Sequence, residues 1–162
     1  MTQFHEEQRF EWFFTAMFCV PALIVGYGLY REAWLNQPFL PGSLLWPAFI
    51  VALVVAVWFL RLKLVTEVRG DGLYVCFVWL WPERTIPWDQ IRDVATRTYR
   101  PIRDFGGWGV RWAARGIVYH ARGKRGVRLV LASGERLLIG SQRPEELAQA
   151  VAARTGLPVV VS

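Results

Sequence analysis

Two periods divide this chain. From Phe13 to Tyr30 and from Leu44 to Leu60 there is no charged residue and no regular polar position. After residue 60 the pattern shortens to alternation. In LKLVTEVR, Leu62, Leu64, Thr66 and Val68 fall on one side and Lys63, Val65, Glu67 and Arg69 on the other, mostly an alternation. A period of two marks a half-buried strand. Gly70-Asp71-Gly72 then supplies residues that tolerate positive φ, and LYVCFVWL, Leu73 to Leu80, returns as a second strand. Arg84 to Trp88, Ile91 to Tyr99, Gly116 to Ala121, Val127 to Ala132 and Glu135 to Ser141 read as further short strands, with turns at Arg122–Gly126 and Ser133-Gly134. Near the end the period lengthens again. PEELAQAVAAR begins with a proline suited to a first helical turn, places Leu147 and Val151 four apart, and stops at Gly156 and Pro158. It predicts a helix over about 144–155.

The two uncharged runs of 18 and 17 residues would each span roughly 25–27 Å as helices. A bilayer core of roughly 30 Å wants about 17–25 residues. Trp12, Tyr30, Trp46 and Trp58 stand near the run ends, where amphipathic rings favour the headgroup level. The expectation is a transmembrane hairpin in residues 1–61, with helices at about 13–30 and 44–60. Arg31 to Ser43, broken by Pro38, Pro41 and Gly42, would form its tight link. A cleaved signal peptide fits less well, because the leading MTQFHEEQRFEW is acidic. Gly26 and Gly28 give the first helix small residues through which a homo-oligomer could pack.

Charge reinforces the division. Residues 1–60 carry two basic and four acidic side chains, whereas residues 61–162 carry 17 and 9. Arg61, Lys63 and Arg69 follow the second run and only Arg31 lies in the link. By the positive-inside bias, both termini are expected in the cytoplasm of a two-pass inner-membrane protein. Arg61 and Lys63 are the candidate juxtamembrane contacts.

Candidate chemistry is sparse. Two histidines, His5 and His120, and two cysteines, Cys19 and Cys76, show no metal-ligand spacing. No nucleophile elbow or phosphate loop is present. The reading is therefore a protein without enzymatic activity, catalytic residue, cofactor or metal. Basic residues are the stronger signal: Arg97, Arg100, Arg103, Arg111, Arg115, Arg122, Lys124, Arg125 and Arg128 fall within 32 positions. Among anionic partners a lipid surface ranks above nucleic acid, since the chain also carries apolar runs suited to a bilayer. The segment YRPIRDFGGWGVRW, Tyr99 to Trp112, is the candidate interaction loop, with Arg100, Arg103, Trp108, Arg111 and Trp112 as its contacts.

About six or seven strands followed by one helix, together with IPWDQI, YRPIRDFGGWGVRW and GVRLVLASGERLLIGSQRPEEL, resemble small bacterial membrane-anchored proteins with a PH-like domain, a small family of unknown function. The resemblance implies an α+β membrane protein. Its hairpin would precede a PH-like antiparallel β-barrel at 62–156 with a C-terminal helix, and 157–162 would be a tail. It brings no activity. The function it implies is a cytoplasmic binding or scaffolding module for a protein partner. The alternative is recognition of anionic lipid headgroups.

Overall fold

The structure is a computed structural model that describes residues 4–10, 12–35, 42–113 and 116–161. The expected link at 36–41 and the candidate cation Arg115 lie outside these residues. The chain forms two compact units: residues 10–62, and residues 1–9 together with 63–162.

The first unit is a helix pair, α1 (Trp12–Leu35) and α2 (Gly42–Arg61), which pack on each other. Gly26 of α1 makes room for the Phe49 ring of α2, which lies 3.2 Å from where a Cβ would stand. Many apolar side chains of α2 remain exposed, including Ile50, Val54, Val57 and Leu60. Only α2, over Leu44–Arg61, is long and apolar enough to cross a membrane among the described residues, by length and composition. Helix α1 runs on beyond Tyr30 and takes Arg31 and Glu32 into its last turns. The expected two-helix transmembrane hairpin, and with it the two-pass inner-membrane topology with both termini cytoplasmic, is therefore corrected.

The second unit is built from strands. One sheet has the order β1-β2-β3-β4, from β1 (Phe4–Arg9), β2 (Lys63–Val68), β3 (Gly72–Val78) and β4 (Trp81–Pro87), all antiparallel. The remaining elements are β5 (Ile91–Thr98), α3 (Pro101–Phe105), β6 (Gly109–Ala113), β7 (Gly116–His120), β8 (Arg125–Leu131), β9 (Arg136–Gly140), α4 (Pro144–Thr155) and β10 (Val159–Val161). Their sheet has the order β10-β5-β8-β9-β7-β6. Two of its pairings, β7 with β9 and β5 with β10, are parallel.

Among the described residues these are two open sheets in a mixed α+β fold with four helices, not the closed antiparallel barrel expected. Sheet edges remain at β1, β4, β10 and β6. The N-terminal residues, assigned by sequence to the hairpin region, supply β1, and the expected tail supplies β10.

Alternation places Leu64 and Val68 of β2 and Leu73, Val75 and Phe77 of β3 among fully buried side chains. In the second sheet Val127, Leu129, Leu137 and Ile139 are likewise fully buried, with Val127 opposite Ile139 and Leu129 opposite Leu137. Leu147, Ala148 and Val151 of α4, as their i, i+4 spacing predicts, are fully buried, and α4 packs chiefly on β5 and β8. Each large aliphatic group in this core is worth about 2–5 kcal/mol against alanine.

Polar bonds tie the two sheets. Glu6 of β1 is buried and accepts hydrogen bonds from the Ser141 hydroxyl at 2.5 Å and the Gln142 amide at 2.7 Å. Gln8 donates from Nε2 to the Gly140 carbonyl at 2.7 Å. Arg84 of β4 grips Glu135 through both guanidinium Nη atoms at 2.8 and 2.7 Å. That pair holds the Glu135 carboxyl below its ordinary range.

Candidate functional site

The Tyr99–Trp112 segment leaves β5 and returns as β6, and its local geometry explains its composition. Tyr99 closes β5 by donating its backbone N–H to the Lys124 carbonyl at 2.8 Å. Its ring is buried with Val118 and Leu138, and Phe105 packs on that cluster. The Tyr99 hydroxyl lies 2.8 Å from where a Cβ would stand on Gly140, so a residue without a side chain is needed beneath it. Burial raises the Tyr99 hydroxyl well above the usual phenol range.

Pro101 then opens the short helix α3, and the Asp104 carboxylate accepts the Arg100 backbone N–H at 2.9 Å. Gly106 ends α3 at φ 70°, donating to the Ile102 carbonyl, while Gly107 donates to the Pro101 carbonyl. The Gly106 bond is that of an αL cap, which favours glycine at its left-handed position. Gly107, at φ 132°, turns its own carbonyl onto His120.

His120 of β7 sits under this loop. Its Nε2–H donates to the Gly107 carbonyl at 2.7 Å, and its ring meets Tyr99 edge-on at 5.5 Å and Trp108 in a stack at 6.4 Å. Burial, opposed by that hydrogen bond, pushes the imidazole down to about 4, and the nearby Arg111 charge adds to the depression. His120 is thus neutral at pH 7, with Nε2 protonated and Nδ1 buried without a hydrogen bond. His120 lies in the strand that the sequence predicts over Gly116 to Ala121. In the fold it is the post against which the glycine-rich loop is set.

With Tyr99, Phe105 and Trp108 turned to the sheet, the loop presents its cations outward. Arg100, Arg103 and Arg111 are exposed, as is Ile102 between the first two. Thr98, Tyr99, Arg100, Arg103 and Asp104 line a shallow depression of about 310 Å³. The Tyr99–Lys124 bond brings the β7–β8 turn, with exposed Arg122 and Lys124, beside the loop. Arg100, Arg103, Arg111, Arg122 and Lys124 form no ion pair with a carboxylate among the described residues, whereas Arg125 pairs with Glu145 and Arg128 with Asp93. The fold thus separates nearby arginines into structural and uncommitted sets.

The other expected contacts divide. Trp108 is half-buried against His120 and serves the loop's packing. Trp112 is 73% exposed on edge strand β6 and meets Trp81 edge-on at 6.1 Å. Lys63 is engaged by Glu7 at 2.7 Å, and Arg61 is exposed at the end of α2. No group of three His, Cys, Asp or Glu side chains is placed to hold a metal among the described residues.

Residues 19–156 match the family described as a family of unknown function, DUF6141. The chain belongs to that family. No curated protein matches it. In this DUF6141 member the match takes in the whole loop, the β7–β8 turn and α4.

Sequence reasoning missed one exposed feature of the DUF6141 domain. Trp79, at the tip of the β3–β4 hairpin, is 66% exposed and has φ 65°. The sequence reads as a continuous strand through it, Leu73–Leu80. The usable signal was the run VWLWP, which carries more apolar residues than one buried face accepts before a proline.

Proposed function

We propose that this DUF6141 protein is a non-enzymatic binding module that docks the face formed by residues 99–104 and 122–124 onto an anionic lipid surface. One observation carries the reading. The Tyr99–Lys124 bond joins two chain segments whose exposed arginines and lysine lack carboxylate partners among the described residues, around a shallow depression. Such cations repel one another and favour an anionic neighbour. Each Lys or Arg held near an anionic bilayer is worth about 1 kcal/mol.

A bilayer suits the rest of the chain. Helix α2 exposes apolar side chains along much of its length and ends at Arg61, two residues before β2. Exposed apolar surface of this kind needs lipid or protein cover. Two groups able to do acid–base or nucleophilic chemistry, Ser141 and His120, are engaged in holding loops, the first by Glu6 and the second by the Gly107 carbonyl. That supports binding over catalysis.

The test is amide hydrogen exchange on the full-length protein in nanodiscs of zwitterionic or phosphatidylglycerol-containing lipid. Anionic lipid should slow exchange at 99–104 and 122–125 at low salt, and Arg100→Gln/Arg103→Gln/Lys124→Gln should remove the difference. Equal exchange in both lipids would overturn the reading. An acidic protein partner would instead protect these segments irrespective of lipid charge.

A further inference from the structure

The β3–β4 hairpin tip is strained and apolar where a turn is ordinarily polar. Trp79 holds a left-handed backbone at φ 65°, a conformation bulky side chains rarely adopt. Yet little of it is buried to offset this, since Trp79 is 66% exposed. Strain of this kind persists where the surrounding structure enforces it, and it clusters at functional positions.

The tip does not stand alone. Leu80, also exposed, places Cδ2 3.8 Å from where a Cβ would stand on Gly109. Trp81 meets Trp112 across the neighbouring edges of the two sheets. The Arg111 guanidinium lies back over Gly107, 3.2 Å from where a Cβ would be. Trp79, Leu80 and Trp112 therefore form an exposed apolar fringe beside the glycine-rich loop and its uncommitted arginine.

We propose that Trp79, Leu80 and Trp112 insert into the headgroup–acyl boundary of an anionic bilayer and anchor the domain whose arginines meet the phosphates. This rests on the lipid-docking reading above and names the part that salt does not screen. Charge complementarity selects the occupant. A fringe bordered by unpaired cations suits an interface that is apolar within and anionic at its rim, and tryptophan rings favour that depth. A purely electrostatic contact would weaken steeply with salt, whereas burial of apolar rings would not.

The test is hydroxyl-radical footprinting of the full-length protein in zwitterionic and phosphatidylglycerol-containing nanodiscs, with oxidation followed separately at Trp79 and Trp112 by mass spectrometry. Both residues should be oxidised several-fold more slowly in anionic discs, and protection should persist as salt is raised. Trp79→Gly should melt at the same or a higher temperature, because glycine accepts φ 65°, and should lose the salt-resistant protection at Trp112. Unchanged oxidation with protected 99–104 amides would overturn this inference and leave lipid docking standing. Unchanged oxidation together with unprotected amides would overturn both. A fall in melting temperature for Trp79→Gly would make Trp79 structural and overturn the anchor. Protection that appears in zwitterionic discs and grows with protein concentration would assign the fringe to a second copy, again overturning it.

Discussion

Acid should loosen the glycine-rich loop through His120. The imidazole is held at about 4 in the fold, against an ordinary value of 6.5, mainly by burial. Between those values the unfolded chain binds a proton that the folded chain refuses. Stability therefore rises with pH through this window and is lost as pH falls from 6.5 toward 4. At 1.36 kcal/mol per unit, the shift sets an upper bound of about 3 kcal/mol on this contribution. His120→Gln keeps a donor for the Gly107 carbonyl but cannot titrate. Urea unfolding of full-length wild type and His120→Gln in neutral detergent, followed by near-ultraviolet dichroism at pH 7, 5.5 and 4, gives the difference directly. Subtraction removes the carboxylates common to both, including Glu7, Glu67 and Glu135, whose values are lowered by their basic neighbours. The wild type should lose stability relative to the variant as pH drops, with exchange at 106–109 accelerating first. Parallel pH profiles for the two proteins would refute the buried, neutral imidazole and the role given to its bond with Gly107.

Three other perturbations follow from particular contacts. Glu6→Gln retains one strong acceptor where Ser141 and Gln142 present two donors, so unfolding free energy should drop by about 1–3 kcal/mol; Ser141→Ala should add little to it in a double-mutant cycle. Gly140→Ala would drive a methyl against the Tyr99 hydroxyl and the His120 Cβ, both 2.8 Å away; overpacking of about 1–3 kcal/mol should appear in thermal melts, with faster exchange at 99–105. Arg84→Lys replaces a two-pronged grip on Glu135 with a point charge at a partly exposed site, and a loss of about 1 kcal/mol in urea unfolding is expected, smaller at high salt.

Much of the β unit was legible because its strands carry their own periodicity. Leu64–Val68, Leu73–Phe77 and Leu137–Ile139 alternate or run apolar between Gly, Asp and Ser turns, and α4 announces itself with Pro144 and Gly156. Strand β1 was not legible, because Phe4 shares its inward face with Glu6 and Gln8. Those polar groups become tolerable only through Ser141, Gln142 and the Gly140 carbonyl, more than 130 residues away. Alternation also cannot tell parallel from antiparallel neighbours. The parallel pairing of β7 with β9, with β8 on the far side of β9, is what an expected antiparallel barrel could not contain.

The candidate loop was visible from its arginines and glycines, but its working geometry was not. Pro101 and Gly106 do bracket a five-residue helix in the sequence, though such a helix is too short for periodicity to show. The meeting of Tyr99 with Lys124 is a tertiary event that no local spacing encodes. Trp79 was hidden because a residue with φ 65° sits inside what reads as a strand of β-forming residues.

Docking through the loop face is tested most directly by photocrosslinking. Full-length protein would be reconstituted with an anionic lipid carrying a photoactivatable headgroup, and the attached residues mapped by mass spectrometry. The account predicts attachment concentrated at 99–104 and 122–124, lost at those positions in Arg100→Gln/Arg103→Gln/Lys124→Gln. Attachment confined to α1 and α2, or unchanged in the triple variant, would contradict it.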